Sequence, residues 1–232
     1  MDIIWLGHGS FRIEIEDQVI LVDPWLTGNP MLADDQHAAA IQGATHVLVT
    51  HAHFDHIADV VQISKDTGAP VSGMYELAGH LHAQGAVEGN AFNIGGTIPL
   101  GDAVTASMVP ASHSSAAEVD GYRMYMGTES GFVIRGEERC IYVSGDTGLM
   151  ADMAWIGDYY KPDIGILSAG GHFTMDMDMA AYAARTYFNF KTVIPCHYRT
   201  MPILEQSAEA LINGVMPGTS VIEPEVMKPI KL

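Results

Sequence analysis

A run of histidine and aspartate side chains between an apolar strand and an amphipathic helix is the feature that most constrains this chain. The run is Thr50-His51-Ala52-His53-Phe54-Asp55-His56. The preceding residues 46–50 have the pattern of a short buried strand, and residues 57–63 carry apolar side chains at helical spacing. The chain must therefore fold so that a strand-to-helix loop presents these polar groups, as loops on rigid scaffolds commonly do with functional residues.

The spacing within this run predicts two metal positions. Residues two apart in an extended segment point the same way, so His51 and His53 can bind one cation together. The helix that follows turns Asp55 and His56 in another direction, where they can bind a second cation. Imidazole and carboxylate ligands suit zinc, and also manganese or iron. A histidine-rich surface loop, with Asp55 favoured at the helix start by the macrodipole, is the alternative without metal.

Three later strands also end at a candidate ligand. Strand 104–109 leads to His113, strand 140–143 leads to Asp146, and strand 191–196 leads to His197. The two carboxylate oxygens of Asp146 can each bind one cation, although a helix N-cap aspartate would occupy the same position. Because strand, ligand and helix recur in this order, the two halves are expected to share a supersecondary plan. Cys196 should face away from His197 and be buried as a small apolar residue.

Substrate contacts are expected in the loops that follow the predicted strands 163–168 and 191–196. His172 follows two glycines, which allow close backbone approach to a ligand, and a loop position at the surface is the alternative. Tyr198 and Arg199 directly follow His197 and are further candidates for substrate contact, or else surface groups.

Four other polar residues have less specific patterns. Asp23 ends a strand, where it either orients a metal ligand or caps a turn. His8 lies between two glycines and is a candidate lining residue of the site. His80 and His82 are two apart on a predicted helix, so they do not face each other and are expected at the surface.

Composition limits the class of protein. The 232 residues predict one domain spanning positions 1–232. No apolar run approaches the roughly 20 residues of a membrane span, so no integral membrane segment is expected. The net charge of −17 argues against nucleic acid and anionic membrane surfaces as partners. Only two cysteines are present and no secretory signal is evident, which predicts a cytoplasmic protein.

The ordered set of candidate ligands resembles the metallo-β-lactamase superfamily over nearly the whole chain. Shorter motifs resemble a branch of uncharacterised metal-dependent hydrolases similar to ascorbate-6-phosphate lactonase and, more distantly, to the phospholipase D that acts on N-acyl-phosphatidylethanolamine. These motifs are Asp23-Pro24-Trp25, Ser112-His113-Ser114-Ser115, Gly145-Asp146-Thr147, Gly170-Gly171-His172-Phe173-Thr174 and Pro195-Cys196-His197-Tyr198. Phe54 departs from the branch, where a small residue is common, and is expected to narrow the metal cleft.

The resemblance implies a fold and a metal assignment. The fold is α+β, a four-layer αβ/βα sandwich in which two mixed β-sheets are flanked by helices. The two ligand sets would be His51, His53 and His113 for one metal, and Asp55, His56 and His197 for the other, with Asp146 bridging. Two divalent ions, zinc before manganese or iron, would then hold a hydroxide that attacks the substrate, with Asp55 as a further proton acceptor.

The implied activity is a metal-dependent hydrolase acting on a small molecule. A lactone or other ester and a phosphodiester both remain open as substrates, and a thiolester of the glyoxalase type is a further option. A metal-binding sensor or partner protein without catalysis is the alternative from another functional class. A homo-oligomer is suggested by the resemblance only.

Overall fold

The computed structural model describes residues 1–232 and contains two mixed β-sheets flanked by helices, as the resemblance implied. The first half of the chain begins with a hairpin meander and continues with strands that alternate with helices. Its elements are β1 (Asp2–Gly7), β2 (Ser10–Ile15), β3 (Gln18–Val22), α1 (His37–Ile41), β4 (His46–Val49), α2 (Phe54–Ile57), α3 (Val60–Thr67), β5 (Val71–Met74), α4 (Tyr75–Ala83) and β6 (Glu88–Phe92). A short 3-10 turn at Asp34–Gln36 precedes α1.

The second half of the chain builds the other sheet and a separate two-stranded hairpin. Its elements are β7 (Thr97–Pro99), β8 (Thr105–Pro110), β9 (Ala116–Val119), β10 (Tyr122–Tyr125), β11 (Ser130–Gly136), β12 (Arg139–Val143), α5 (Met153–Tyr160), β13 (Ile164–Ser168), α6 (Met177–Tyr187), β14 (Thr192–Cys196), α7 (Glu209–Gly214), β15 (Ser220–Val221) and β16 (Pro229–Lys231). None of the helices has the length and apolar character that crossing a membrane would require.

The two seven-stranded sheets have the same plan. The first has the order β16-β1-β2-β3-β4-β5-β6, and the second has the order β15-β14-β13-β12-β11-β8-β7. In each sheet an antiparallel meander leads into parallel strands: β3, β4, β5 and β6 in the first, and β12, β13, β14 and β15 in the second. The shared supersecondary plan expected from the sequence is therefore present, and it brings the carboxyl ends of β4, β12 and β14 to one region.

The core follows the alternation and apolar runs of the sequence. In β2 the side chains of Phe11, Ile13 and Ile15 are fully buried, whereas Arg12 and Glu14 face partly outward. The strands β13 and β14 are buried along their whole length, as expected for parallel strands covered on both faces. A single cluster of 60 buried apolar residues connects both sheets and the inner helix faces. This packing holds the strand ends rigidly in place.

Side-chain contacts and chain geometry define the starts of two helices near the site. Asp176 caps α6, because its carboxylate accepts a hydrogen bond from the Met179 backbone N–H at 2.7 Å. Helix α5 begins only at Met153, so Asp146 does not act as its N-cap. Strand β9 pairs with β10 in an antiparallel hairpin.

Candidate metal centre

Three imidazoles form a compact triad at the meeting point of the two sheets. His51 and His53 follow β4, and His113 lies in the loop after β8. The Nε2 atom of His51 is 3.0 Å from Nδ1 of His53, and Nε2 of His113 is 3.2 Å from that same Nδ1 atom. The three ring planes are close to mutually perpendicular, with interplanar angles of 80°, 89° and 77°. All three nitrogen atoms therefore converge on one point.

In His51 and His53, a hydrogen bond at one ring nitrogen leaves the lone pair of the other nitrogen free for a metal. Nδ1–H of His51 donates to Thr50 Oγ1 at 3.0 Å, which leaves its Nε2 lone pair free. Nε2–H of His53 donates to Ser114 Oγ at 3.2 Å, which frees Nδ1 instead. Zinc–nitrogen bonds of about 2.0–2.1 Å in a tetrahedral arrangement separate the ligand atoms by about 3.3 Å. The triad therefore fits a small divalent cation without rearrangement.

A second group of ligand-type atoms lies beside the triad. It contains His8, Asp55, His56 and His197, whose donor atoms lie within 4.8 Å of one another. Nε2 of His56 and Nε2 of His197 are each 3.7 Å from Asp55 Oδ2. The Nε2 atom of His56 is buried without a hydrogen-bond partner, which is rare for a polar atom. A cation among these atoms would satisfy it, so this group also fits a metal.

Asp146 lies between the two groups. Its Oδ2 atom is 3.9 Å from His51 Nε2 and 3.7 Å from His113 Nε2 in the triad. The same oxygen is 3.5 Å from His56 Nε2 and 3.0 Å from His197 Nε2 in the second group. One buried carboxylate thus contacts both groups, as a ligand shared by two metals must.

His8 contributes to the second group in a way that the sequence left open. The side chain is buried, with Nε2 at 2.8 Å from Asp55 Oδ2 and Nδ1 at 2.9 Å from Thr200 Oγ1. Burial is the main cause that lowers the pKa of His8 to about 4, so the ring is neutral at physiological pH. Nε2–H therefore donates to Asp55, and the Thr200 hydroxyl donates to Nδ1. His8 orients the Asp55 carboxylate and is a residue that sequence spacing alone did not assign.

Asp23 connects ligands from both groups. Its Oδ2 atom accepts a hydrogen bond from Nδ1–H of His56 at 2.8 Å and another from the Thr50 hydroxyl. Because Thr50 in turn accepts from His51, the same carboxylate orients His56 directly and His51 through one intermediate. Its Oδ1 atom also accepts the Thr50 backbone N–H at 2.8 Å. Both roles suggested by the sequence, ligand orientation and turn stabilisation, belong to this one side chain.

The two groups differ in electrostatics because the carboxylates surround the second group. Burial lowers the pKa of His51, His53 and His113 below the usual range, so the triad is neutral and ready to bind a cation. Burial also disfavours the charged form of His197, but Asp146 and Asp55 outweigh it and raise its pKa to about 9. Burial opposes protonation of His56 as well, yet Asp146 and the other nearby carboxylates raise its pKa well above the usual value.

Three residues at the metal groups have left-handed backbone conformations. His8, Asp23 and His197 all have positive φ values, of 54°, 46° and 58°, although none is a glycine. Such left-handed conformations are uncommon for residues with a Cβ atom and typically persist where the surrounding structure enforces them for function. In these conformations the three side chains point toward the metal groups.

The metal groups open into one cavity of about 870 Å³. Side chains from both metal groups line it: His8, His53, Asp55, His113, Asp146 and His197. The remaining wall comes from α2, α3, the end of α4, the β9–β10 hairpin, and the residues Phe173 and Met201. This volume is in the range of small-molecule sites.

The three expected substrate contacts do not line this cavity. Tyr198 is fully buried and stacks on Trp5 with ring centroids 5.7 Å apart, so it packs in the core. Arg199 is exposed, and its guanidinium carbon Cζ lies 5.6 Å from the centroid of the Tyr198 ring. His172 is exposed and packs edge-on against Phe173. Tyr198 therefore lies neither at the cavity nor at the surface, the two positions expected for it. The left-handed backbone at His197 directs the Tyr198 ring into the core.

The sequence pattern did not identify several residues that line the cavity. His80, expected at the surface, lines the cavity together with Leu81 and Gln84 of the same helix end. His82 faces elsewhere, with Nε2 at 2.8 Å from the Val71 carbonyl oxygen. Helical spacing places residues 80, 81 and 84 on neighbouring positions, but only the tertiary fold shows that this part of α4 faces the site. Phe54 lines the cavity as expected, with 64% of its surface exposed.

Comparison with known proteins gives a consistent set of relatives. Residues 18–198 match the family model described as the beta-lactamase superfamily domain. UPF0173 metal-dependent hydrolases from Roseobacter denitrificans and Ruegeria sp. are 63% and 60% identical, each over 100% of both chains. The structure of Igni18, a metallo hydrolase from Ignicoccus hospitalis, aligns with a TM-score of 0.84 and 30% identity, covering 99% of this chain and 97% of that one.

Proposed function

The chain belongs to the beta-lactamase superfamily and is a metal-dependent hydrolase. We propose that it uses two divalent ions to hydrolyse a small lactone, ester or phosphodiester. The observation that carries the proposal is Asp146 Oδ2, which lies within 4.0 Å of nitrogen atoms from both metal groups. A carboxylate in this position suits a dinuclear centre, whereas a single-metal site needs no such shared oxygen.

The proposal assigns each ligand to one of two positions. His51, His53 and His113 would hold one ion, and Asp55, His56 and His197 would hold the other, with Asp146 shared. We propose zinc for both, since neutral imidazoles with carboxylates suit it; manganese and iron suit the same ligands. Such a metal pair supplies a nucleophilic hydroxide at neutral pH and polarises the substrate oxygen.

The chain's own residues contribute orientation and proton transfer. Asp55 faces the cavity and is proposed both as a ligand and as the acceptor of a proton from the attacking water. His8 holds the Asp55 carboxylate through its 2.8 Å hydrogen bond, so the second oxygen of that carboxylate remains available. Both cysteines are free thiols, which supports the further proposal of a cytoplasmic location.

The test combines metal content with turnover. The metal-loaded protein is assayed on a panel of lactones, carboxylic esters and phosphodiesters, beside the variant His53→Ala. Loss of a direct ligand should cost more than the roughly 10–100-fold typical of residues that only orient a ligand. His46→Ala is the matched control, because His46 begins the same strand β4 and lies at its opposite end from the ligands.

The outcomes separate the two functional classes. Turnover that falls by more than about a hundredfold in His53→Ala and stays unchanged in His46→Ala supports the hydrolase. A protein that binds two ions per chain and turns over no member of the panel would instead favour the metal-binding sensor. Full activity of a His53→Ala protein that holds no metal would refute the dinuclear mechanism.

A further inference from the structure

The part of the cavity away from the metal groups is mainly apolar. Its wall combines side chains from four elements that meet there: Ile57 at the end of α2, Val61 in α3, Leu81 in α4 and Ala117 in β9. These side chains otherwise belong to the apolar interior or pack against it. No other side chain fills the space between them, so an apolar wall forms part of the cavity beside the reacting groups.

Two phenyl rings at the rim extend this apolar surface. Phe54 precedes the ligand Asp55 and is 64% exposed, and Phe173 follows the paired glycines and is 52% exposed. Both line the cavity, and each leaves more than half of its surface exposed. Large aromatic side chains exposed beside reacting groups are costly in water, and they become favourable when a bound apolar group covers them.

The charges around this part of the cavity favour an uncharged occupant. Arg123 in β10 is the only lysine or arginine among the lining residues. Its cross-strand neighbour in the hairpin is Glu118, which also lines the cavity and offsets its charge. The other lining charges are Asp55 and Asp146, which belong to the metal groups.

We propose that the substrate carries an uncharged, extended apolar group, an alkyl or aryl chain attached to the hydrolysable carbonyl, and that this group lies along Ile57, Val61, Leu81 and Ala117. This inference rests on the proposed hydrolase function and names the substrate class for it. The carbonyl would then lie among the metal ligands, and Phe54 and Phe173 would cover the chain where it enters.

The first test measures turnover along a series of p-nitrophenyl esters, from acetyl to decanoyl, with the metal-loaded protein. Complete burial of one methylene changes binding about fourfold, so kcat/KM should rise by up to about that factor per carbon and then level off when the cavity is full. An ester of equal length that ends in a carboxylate should be at least about tenfold slower, because its charge would be buried without a partner.

The second test measures binding without chemistry, by calorimetry with methyl ketones of increasing chain length, which cannot be hydrolysed. Val61→Thr keeps the shape of the wall and makes it polar, so it should reduce the gain in affinity per carbon. Ala58→Leu fills the cavity from a lining position and should shorten the chain length at which affinity levels off. Val87→Thr and Ala154→Leu are matched controls at exposed positions outside the cavity and should leave the series unchanged.

The two tests distinguish failure of this inference from failure of the proposed function. Ketone affinity that does not depend on chain length, or that depends on it equally in Val61→Thr and wild type, overturns the apolar site, even where the acetyl ester is hydrolysed. Faster turnover of the carboxylate-ended ester also overturns it. Graded ketone binding that Val61→Thr reduces supports the apolar site, even where no ester is hydrolysed and the proposed function fails.

Discussion

A single carboxylate, Asp23, orients ligands of both metal groups. It accepts a hydrogen bond from His56 directly and holds His51 through Thr50. Residues that orient metal ligands in this way typically contribute 10–100-fold to metal affinity or activity. The Asp23 side chain is buried, and its backbone has a left-handed conformation.

Asp23→Asn should therefore lower affinity for both metals by about 10–100-fold. An amide is uncharged and has one accepting oxygen, so its NH2 group would face a donor, either the Thr50 backbone N–H or the His56 and Thr50 side chains. Competition with a chromophoric chelator measures this affinity for each ion. Asp34→Asn is the control, since Asp34 is an exposed residue near His37 and far from the ligands in sequence and fold. Loss at only one of the two ions would contradict the role of Asp23 as the link between the groups.

Protons compete with metal at His56 and His197. The nearby carboxylates outweigh burial and raise both pKa values, that of His197 to about 9, so both rings are protonated at neutral pH when no metal is present. A metal must displace these protons, and the competition weakens as pH rises toward 9. Apparent affinity for the second ion should therefore increase from pH 6 to pH 9.

The triad provides an internal comparison for this pH dependence. Burial lowers the pKa values of His51, His53 and His113, so the first ion meets no bound protons above neutral pH. Its affinity should change less over the same range. Chelator competition at several pH values resolves the two ions, and a second ion whose affinity is flat with pH would contradict the electrostatic account.

At the scale of secondary-structure elements, the candidate ligands lie at strand ends, and this is why the sequence could indicate them. His51, His113, Asp146 and His197 each follow an apolar strand, and the parallel strands of both sheets end in one region. Such a local pattern is visible in sequence because a buried strand and the polar loop after it differ sharply in composition. The structure therefore brings together residues that the spacing singled out, and their role as metal ligands stays a prediction.

Tertiary contacts explain what the sequence did not show. Tyr198 was expected at the site by its position next to His197, but left-handed residues at 197 and 199 turn its ring into the core. The hairpin of β9 and β10 and the end of α4 reach the cavity only through packing between distant segments. Neither a positive φ at a residue with a Cβ atom nor a long-range contact has a reliable signature in composition or periodicity.

The loop after β13 passes close to the end of β14, where Gly170 lies against His197. A Cβ atom at Gly170 would lie 2.1 Å from the carbonyl oxygen of His197 and 3.0 Å from its Nδ1 atom. Gly170→Ala must therefore displace the His197 backbone, which should cost about 1–3 kcal/mol in free energy of unfolding and weaken the second metal. Denaturant unfolding and chelator competition measure the two effects.

Gly79→Ala is the matched control for that substitution. Gly79 lies in α4, and a Cβ atom there would meet nothing within 4 Å. Alanine should therefore stabilise the helix by about 0.5–1 kcal/mol and leave metal affinity unchanged. If Gly170→Ala behaves like Gly79→Ala, the close approach to His197 does not position that ligand.

On the scale of the whole molecule, each metal group draws ligands from both sheets. The triad joins the end of β4 in the first sheet to the loop after β8 in the second, and the other group joins α2 to the end of β14. The two sheets also share one apolar core. Bound metal would therefore link the sheets through ligand bonds in addition to their packing, and this linkage exists only in the folded chain.

Metal should accordingly stabilise the entire fold. A ligand that binds only the folded state at a free concentration of 100 times its Kd contributes about 2.7 kcal/mol, which for a chain of this size raises Tm by roughly 5–11 °C. Scanning calorimetry of the loaded and chelator-treated protein measures this shift, with metal content determined in both samples. In His53→Ala the first ion loses one of its three imidazoles, so added metal should raise Tm by less than in the wild type. An equal Tm with and without bound metal would contradict selective binding of metal to the folded chain.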